Sequence, residues 1–266
     1  MTLVGAYANI IIMKSILLAF CITALSTTAF AGRGHRQPTP EFSAKSYIVA
    51  NESGLVLKEQ DGSTVRPIAS ISKLMVGLLV AEQDLNEQLS IPTKRYVNSS
   101  IPKKAAAMSR MELLTLALVR SDNFAAQILC ANIPNCVDNM NARAKELGMI
   151  NTSFVEPTGL DSRNVSTAQD LLHLLLVAST NQVLSTVSRQ PFANIVVYKN
   201  TVHVNNTNPL TAKLDILLSK TGFTNPAGGC MVMQLNSHVG KRFLILLGSR
   251  NAHTRIPDME RLVREL

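Results

Sequence analysis

The pattern of apolar residues along this 266-residue chain describes an α+β domain, an antiparallel sheet flanked by helices with an all-helical subdomain between its two halves. Three observations carry that reading. Two β-rich runs, 46–51 (SYIVAN) and 55–60 (LVLKEQ), stand near the start and are joined by Glu52-Ser53-Gly54, which reads as a hairpin. Apolar residues at three- and four-residue spacing fill the middle. Apolar or alternating runs return at 194–198, 214–219, 229–234 and 242–248. The sheet is expected to join the first hairpin to the last strands.

Taken in order, Pro67 is followed by Ile71, Leu74, Met75, Leu78 and Leu79, one face of a helix that begins near Ser70. Met111 to Val119, Phe124 to Ala131 and Val137 to Leu147 repeat that period, and Gly148 is a plausible stop. Ser166-Thr167-Ala168-Gln169 has capping-box form and predicts a helix over 167–179. A short helix is expected from Pro257 to Arg264. The chain carries no internal repeat and no low-complexity tract.

Residues 15–31 form an apolar run preceded by Lys14 and ending Ala29-Phe30-Ala31. These are the parts of a secretory signal peptide, so 1–31 is expected to be removed and the protein to be periplasmic. Membrane association is expected only if that segment is retained. Met13 is an alternative start. Residues 32–42, rich in Gly, Arg, Gln, Pro and Thr, read as a flexible leader, and 43–266 as the working domain.

Hydrophobic residues make up 46% of the chain, enough for a sizeable core, so disorder is not the default. The net charge of +8 favours anionic partners, yet the basic residues are scattered, with runs only at Arg33–Arg36 and Lys94–Lys104. With no Trp, no zinc-finger spacing and no RNA-binding signature, nucleic acid is not expected as a partner. Three cysteines remain beyond the apolar run. Cys130 and Cys136 bracket a Pro-containing loop and can pair in an oxidising compartment; Cys230 would then be an odd thiol on a strand. Sequence alone leaves that connectivity open.

Three short motifs occur in order: Ser70-Ile71-Ser72-Lys73, Ser121-Asp122-Asn123 and Lys220-Thr221-Gly222. Each alone is weak. Ser100–Lys103 also fits S-x-x-K, but Pro102 opposes a regular helix there, and Ser162–Asn164 and Ser249–Asn251 also fit S-x-N. Order and context strengthen them, since Ser70 opens a helix, Ser121 follows one and Lys220 ends an apolar strand run. In a helix, positions i and i+3 share a face, which puts the Lys73 amine beside the Ser70 hydroxyl. A serine needs a base to become a nucleophile, and a lysine serves as one when burial or a second cation, here Lys220, lowers its pKa. Ser121 is placed to relay the proton toward a leaving amine, and Asn123 to hold substrate backbone and Lys73.

The motif set S-x-x-K, S-x-N, K-T-G resembles that of penicillin-binding proteins and class A β-lactamases. The stretches RPIASISKLM, PTGLD and SKTGFTNPAGGC are similar to segments of D-alanyl-D-alanine peptidases. The resemblance covers roughly 44–250. It implies a β-lactamase/penicillin-binding transpeptidase-like fold and an acyl-enzyme on Ser70 with no metal or organic cofactor. The implied partners are peptidoglycan peptides, with β-lactams as covalent inhibitors. It implies that Lys220 and Thr221 bind a substrate carboxylate, that Gly222 lets backbones approach closely, and that substrate lies along this strand. The N–H groups of Ser70 and Phe223 would then form the oxyanion hole. Ser72 stands where threonine is common and keeps the hydroxyl.

No further C-terminal β domain is expected, and that layout resembles the D-alanyl-D-alanine endopeptidases of the penicillin-binding protein 7 type, which are favoured over a carboxypeptidase. A β-lactamase is a third reading and a non-catalytic wall-binding module a fourth. Glu156, in E-P-T-G-L-D, lacks the lactamase-like setting and reads as a solvated loop carboxylate. Asp161 and Asp170 read as turn and helix-surface residues, His173 as a satisfied helix histidine, and Met108 and Met111 as core. The five histidines show no zinc-binding pair, and no G-x-S-x-G elbow is present.

Overall fold

The computed structural model describes residues 42–92, 101, 107–197 and 200–266. The expected signal segment 1–31, the leader up to residue 41 and both basic runs apart from Ile101 lie outside the described residues, as does the second S-x-x-K copy at 100–103 save for Ile101. The described residues form one compact unit.

The chain opens with strands β1 (Ser46–Asn51) and β2 (Val56–Gln60) and closes with β9 (Ile216–Thr224), β10 (Gly228–Ser237), β11 (Gly240–Ser249) and a C-terminal helix that begins at Arg255. These strands form one antiparallel sheet in the order β2-β1-β11-β10-β9. The first hairpin therefore docks beside the last strand, as the sequence predicts. The central strands read as continuous apolar runs because both faces are covered. On β11, Phe243, Ile245 and Leu247 face the main core while Leu244 and Leu246 face a second one. That second core includes Met259 and Leu262 of the C-terminal helix.

Between the sheet halves lie β3 (Arg66–Pro67), a 3-10 turn (Ala69–Ile71) and α1 (Ser72–Ala81). Then come β4 (Gln88–Ser90), β5 (Ala107–Ser109), α2 (Arg110–Thr115), a π-helical turn (Leu116–Arg120), α3 (Asn123–Ala131) and α4 (Cys136–Glu146). β6 (Val165–Ser166), α5 (Ala168–Thr180), α6 (Gln182–Ser188), β7 (Phe192–Val197) and β8 (Asn200–Asn205) follow, and Arg255–Arg264 is α7. α1 is buried along nearly its whole length, which suits its uninterrupted apolar sequence. α2 starts on a capping box formed by Ser109 and Glu112.

Several sequence expectations are corrected. The helix after Ser166 is capped by Thr167, whose side chain accepts from Asp170 N; the cap lies one residue beyond the Ser166 read from the sequence. Asp170 is buried, not on the surface, and its Oδ2 accepts from Asn151 N and Thr152 Oγ1, both at 2.8 Å. The helix expected over 111–119 widens after Thr115 into the π-helical turn. The run 194–198, whose residue 198 lies outside the described residues, stays out of the main sheet and pairs with β8 as a separate ribbon. Neither β8 nor α6 was expected. Gly148 follows α4 at φ +74°, Met108 is buried and Met111 partly so. His173 Nδ1 meets Leu147 O at 3.0 Å. Cys130 and Cys136 form a disulfide that ties α3 to α4, and Cys230 is free and buried on β10.

Candidate active site

The sheet's edge strand β9, the turn that enters α1 and the turn that enters α3 converge on one cluster of hydrogen-bonded side chains. Ser70 lies in the 3-10 turn, two residues before the start of α1. Its neighbour Ala69 has φ +47°. Ser121 follows the π-helical turn at φ +60°. Left-handed backbone in residues with a side chain costs of order 1–2 kcal/mol each. Ala69 directly precedes Ser70 and Ser121 carries its own hydroxyl, so local strain accompanies placement of both serine side chains.

Lys73 sits on the first turn of α1 and is fully buried. Its Nζ donates to Ser70 Oγ at 2.8 Å, to Asn123 Oδ1 at 2.7 Å and to Thr158 O at 2.6 Å. Burial lowers its pKa to about 7, and the carboxylates of Glu156 and Asp122 act against that fall. The sequence reading had Lys220 as the cation that pushes Lys73 down. The structure puts that repulsion chiefly on Lys220, whose pKa falls well below its ordinary value through burial, then Lys73 and Arg255. Two buried amines this close disfavour each other's charge, and the Glu156 and Asp122 carboxylates offset that at Lys73.

A second cluster forms around Lys220. Its Nζ donates to Ser121 Oγ at 2.8 Å and to Thr221 O at 2.8 Å, and Thr221 Oγ1 donates to Thr207 Oγ1 at 2.6 Å. Gly222 allows the close approach expected of it: a Cβ there would stand 3.0 Å from Ile68 O and from Ser70 N. Phe223 pairs with Gly229 near the end of β9, its side chain 40% exposed. All eight predicted residues thus fall on three adjoining elements.

Three contributors were missed by the sequence reading. Arg255, the first residue of α7, donates through Nη1 to Gly222 O at 2.8 Å, while its buried Nε has no hydrogen-bond partner among the described residues. Asn164 is buried, donates to Ser72 Oγ at 3.0 Å and to Glu156 O at 2.7 Å, and so fastens the 156–164 loop beneath α1. Gly159 has φ +80° and crosses directly over Ala69. The only signal for it was the PTGLD stretch. Glu156 is not a solvated loop carboxylate: its oxygens accept from Thr158 N and Oγ1, Gly159 N, Asp161 N and Asn164 Nδ2. The arrangement offers a buried base on a serine, with cations and hydroxyls beside an open sheet edge. That suits acyl transfer from a carboxylate-bearing peptide.

The chain is 36% identical over 256 residues to a D-alanyl-D-alanine endopeptidase of Escherichia coli (strain K12), spanning 90% of this chain and 80% of that protein. It is 36% identical over 277 residues to a D-alanyl-D-alanine endopeptidase of Pseudomonas aeruginosa, spanning 96% and 88%. Penicillin-binding protein D2 of Listeria monocytogenes, solved with ampicillin bound, superposes with a TM-score of 0.75 at 30% identity, covering 85% of this chain and 98% of that one. The fold is accordingly that of the penicillin-binding proteins. The family profile described as D-alanyl-D-alanine carboxypeptidase, peptidase S11, matches residues 33–250, and the chain belongs to that family of serine peptidases.

Proposed function

We propose that this chain is a serine D-alanyl-D-alanine endopeptidase that cleaves peptidoglycan cross-links through an acyl-enzyme on Ser70. The observation that carries the reading is the fully buried Lys73 ammonium, 2.8 Å from Ser70 Oγ with its pKa lowered to about 7. In its neutral form Lys73 takes the Ser70 proton as Oγ attacks the D-alanyl carbonyl carbon. The N–H groups of Ser70 and Phe223 stabilise the oxyanion, which the closeness of Gly222 to Ser70 N supports. The C–N bond then breaks, and the leaving amine takes a proton through Ser121. Water hydrolyses the ester and restores Ser70.

Substrate adds along the free edge of β9, held by Asn123 and by backbone pairing. Lys220, Thr221 and Arg255 supply positive charge and donors for a carboxylate on the leaving residue. The endopeptidase specificity is supported by the two relatives of that name at 36% identity. The donors that occupy both oxygens of Glu156 favour a slow-hydrolysing acyl-enzyme over a β-lactamase. Export to the periplasm is supported by the apolar N-terminal run and by a disulfide between Cys130 and Cys136, which suits an oxidising compartment.

The test is intact mass of the protein during incubation with a β-lactam, alongside Ser70→Ala, followed by digestion of cross-linked muropeptides. A lasting one-drug adduct that the variant lacks, with dimeric muropeptides cut to monomers, is expected. Release of terminal D-alanine alone would make it a carboxypeptidase. Rapid turnover of the drug would make it a β-lactamase, and no adduct would point to a binding module.

A further inference from the structure

The acceptor that Lys73 uses on the loop side is one half of a peptide group whose other half is also engaged. Thr158 O accepts from Lys73 Nζ at 2.6 Å, and the Gly159 N–H of the same peptide donates to Glu156 Oε1 at 2.6 Å. A carboxylate, a peptide unit and an ammonium are therefore joined end to end. The peptide dipole points its negative end at the lysine and its positive end at the glutamate. Hydrogen bonds in such a chain polarise one another, so the charge on Glu156 strengthens the Thr158 carbonyl as an acceptor.

The rest of the loop is built to hold this geometry. Glu156 Oε2 takes Thr158 N at 2.7 Å and Thr158 Oγ1 at 2.5 Å, so the carboxylate clamps the residue whose carbonyl faces Lys73. Asn164 bridges the same loop to Ser72, the residue before Lys73: Nδ2 reaches Glu156 Oε1 at 3.2 Å and Ser72 Oγ at 3.0 Å. Ser72 Oγ in turn donates to Ala69 O at 3.0 Å, beside Ser70. One buried network thus ties Glu156 to both flanks of the reacting pair.

We propose that Glu156 is a positioning residue that acts through the Thr158–Gly159 peptide to hold Lys73 on Ser70 and to set the pH range in which Lys73 accepts the serine proton. It does not touch substrate or the reacting atoms. This inference rests on the reading of Ser70 and Lys73 as nucleophile and base. Four charged groups bear on Lys73 or on its partner lysine: Glu156 from the loop and Asp122 from the start of α3 favour the ammonium, while Lys220 from β9 and Arg255 from α7 add positive charge at the site. Glu156 is joined to Lys73 through a hydrogen-bonded peptide.

Removing the Glu156 charge weakens the carbonyl and leaves burial less opposed, so Lys73 loses its proton at lower pH and becomes a weaker base. A purely structural role predicts the reverse, because a loop that lets go of Lys73 admits water and returns the amine toward its ordinary range.

The test is the rate of acylation by a fluorescent penicillin, measured on the full chain over a pH series from about 5 to about 10, for the parent, Glu156→Gln and Asp161→Asn. Asp161 belongs to the same loop, but its carboxylate is occupied by exposed Arg163. The parent should show a rising limb near pH 7. Glu156→Gln should move that limb down by about one pH unit and lower the plateau about tenfold, while Asp161→Asn leaves both in place. A limb that stays put or moves up in Glu156→Gln overturns the inference. If Glu156→Gln gives no cooperative thermal transition, Glu156→Asp, which keeps the charge but withdraws it by one methylene, should move the limb the same way by less; no movement, or movement up, overturns it again. A parent that forms no Ser70 adduct at any pH overturns the underlying reading and this inference with it. A normal parent limb that Glu156→Gln leaves unmoved overturns this inference alone.

Discussion

Replacing Gly159 by alanine should damage the site through a single methyl group. A Cβ at Gly159 would stand 1.8 Å from Ala69 O, 2.2 Å from Ala69 C and 2.8 Å from Ser70 N. Ordinary contact starts at 3.4 Å, so the two backbones must separate by about 1.6 Å. Neither side yields easily. Thr158 O is bonded to Lys73, and on the far side of the Ser70 turn a methyl group added at Gly222 would already stand only 3.0 Å from Ser70 N. The left-handed φ of +80° adds about 1–2 kcal/mol of strain for a residue with a side chain. Displacing a reacting group by about 1 Å costs on the order of a hundredfold in rate. Acylation of Gly159→Ala by a fluorescent penicillin is therefore expected to fall about a hundredfold, with Tm lowered by several degrees. Acylation within about threefold of the parent would refute the argument, since it would mean the loop moves without carrying Ser70 or Lys73 along.

Two further outcomes follow from contacts outside the three motifs. Arg255→Ala removes the guanidinium on Gly222 O and a cation near Lys220. Second-order acylation rates should fall between about tenfold and a hundredfold, as expected for a charged hydrogen bond, while circular dichroism stays unchanged; a parent-like rate would remove Arg255 from carboxylate recognition. The double substitution Cys130→Ser and Cys136→Ser opens a disulfide that spans six residues. It should cost about 2 kcal/mol, read by urea denaturation, and leave Ser70 acylation intact below the transition. A loss of acylation in the folded variant would show that the bond positions Asn123 at the other end of α3.

Much of this was written locally enough to be read. The pair Ser70 and Lys73 needs only one helical turn, and the apolar runs of β9, β10 and β11 announce buried strands. What escaped depends on partners distant in sequence. Arg255 lies 33 residues beyond the carbonyl it binds, and nothing around it distinguishes it from other basic residues in this chain. β7 alternates as any half-buried strand does, and alternation does not name the neighbour, so its ribbon with β8 stayed hidden. The cap of α5 slipped because Ser166 and Thr167 are adjacent hydroxyl residues, and local pattern alone does not choose between them. Glu156 was misjudged because its acceptors are used by backbone N–H groups, whose direction is set by a loop conformation that composition does not encode.

The position of Cys230 bears on how the chain matures. Three thiols beyond the apolar run allow three pairings, of which the folded protein uses the one between neighbours. In an unfolded chain the chance that two ends meet falls as about the three-halves power of their separation. Cys136 thus meets Cys130, six residues away, about sixtyfold more often than it meets Cys230. Once β10 is paired, Cys230 is sealed at 0% exposure and its thiol pushed up to about 11, so little thiolate remains to attack the finished bond. Proximity selects the partner first, and burial then removes the competitor, so these three thiols can oxidise to one product without help from an isomerase.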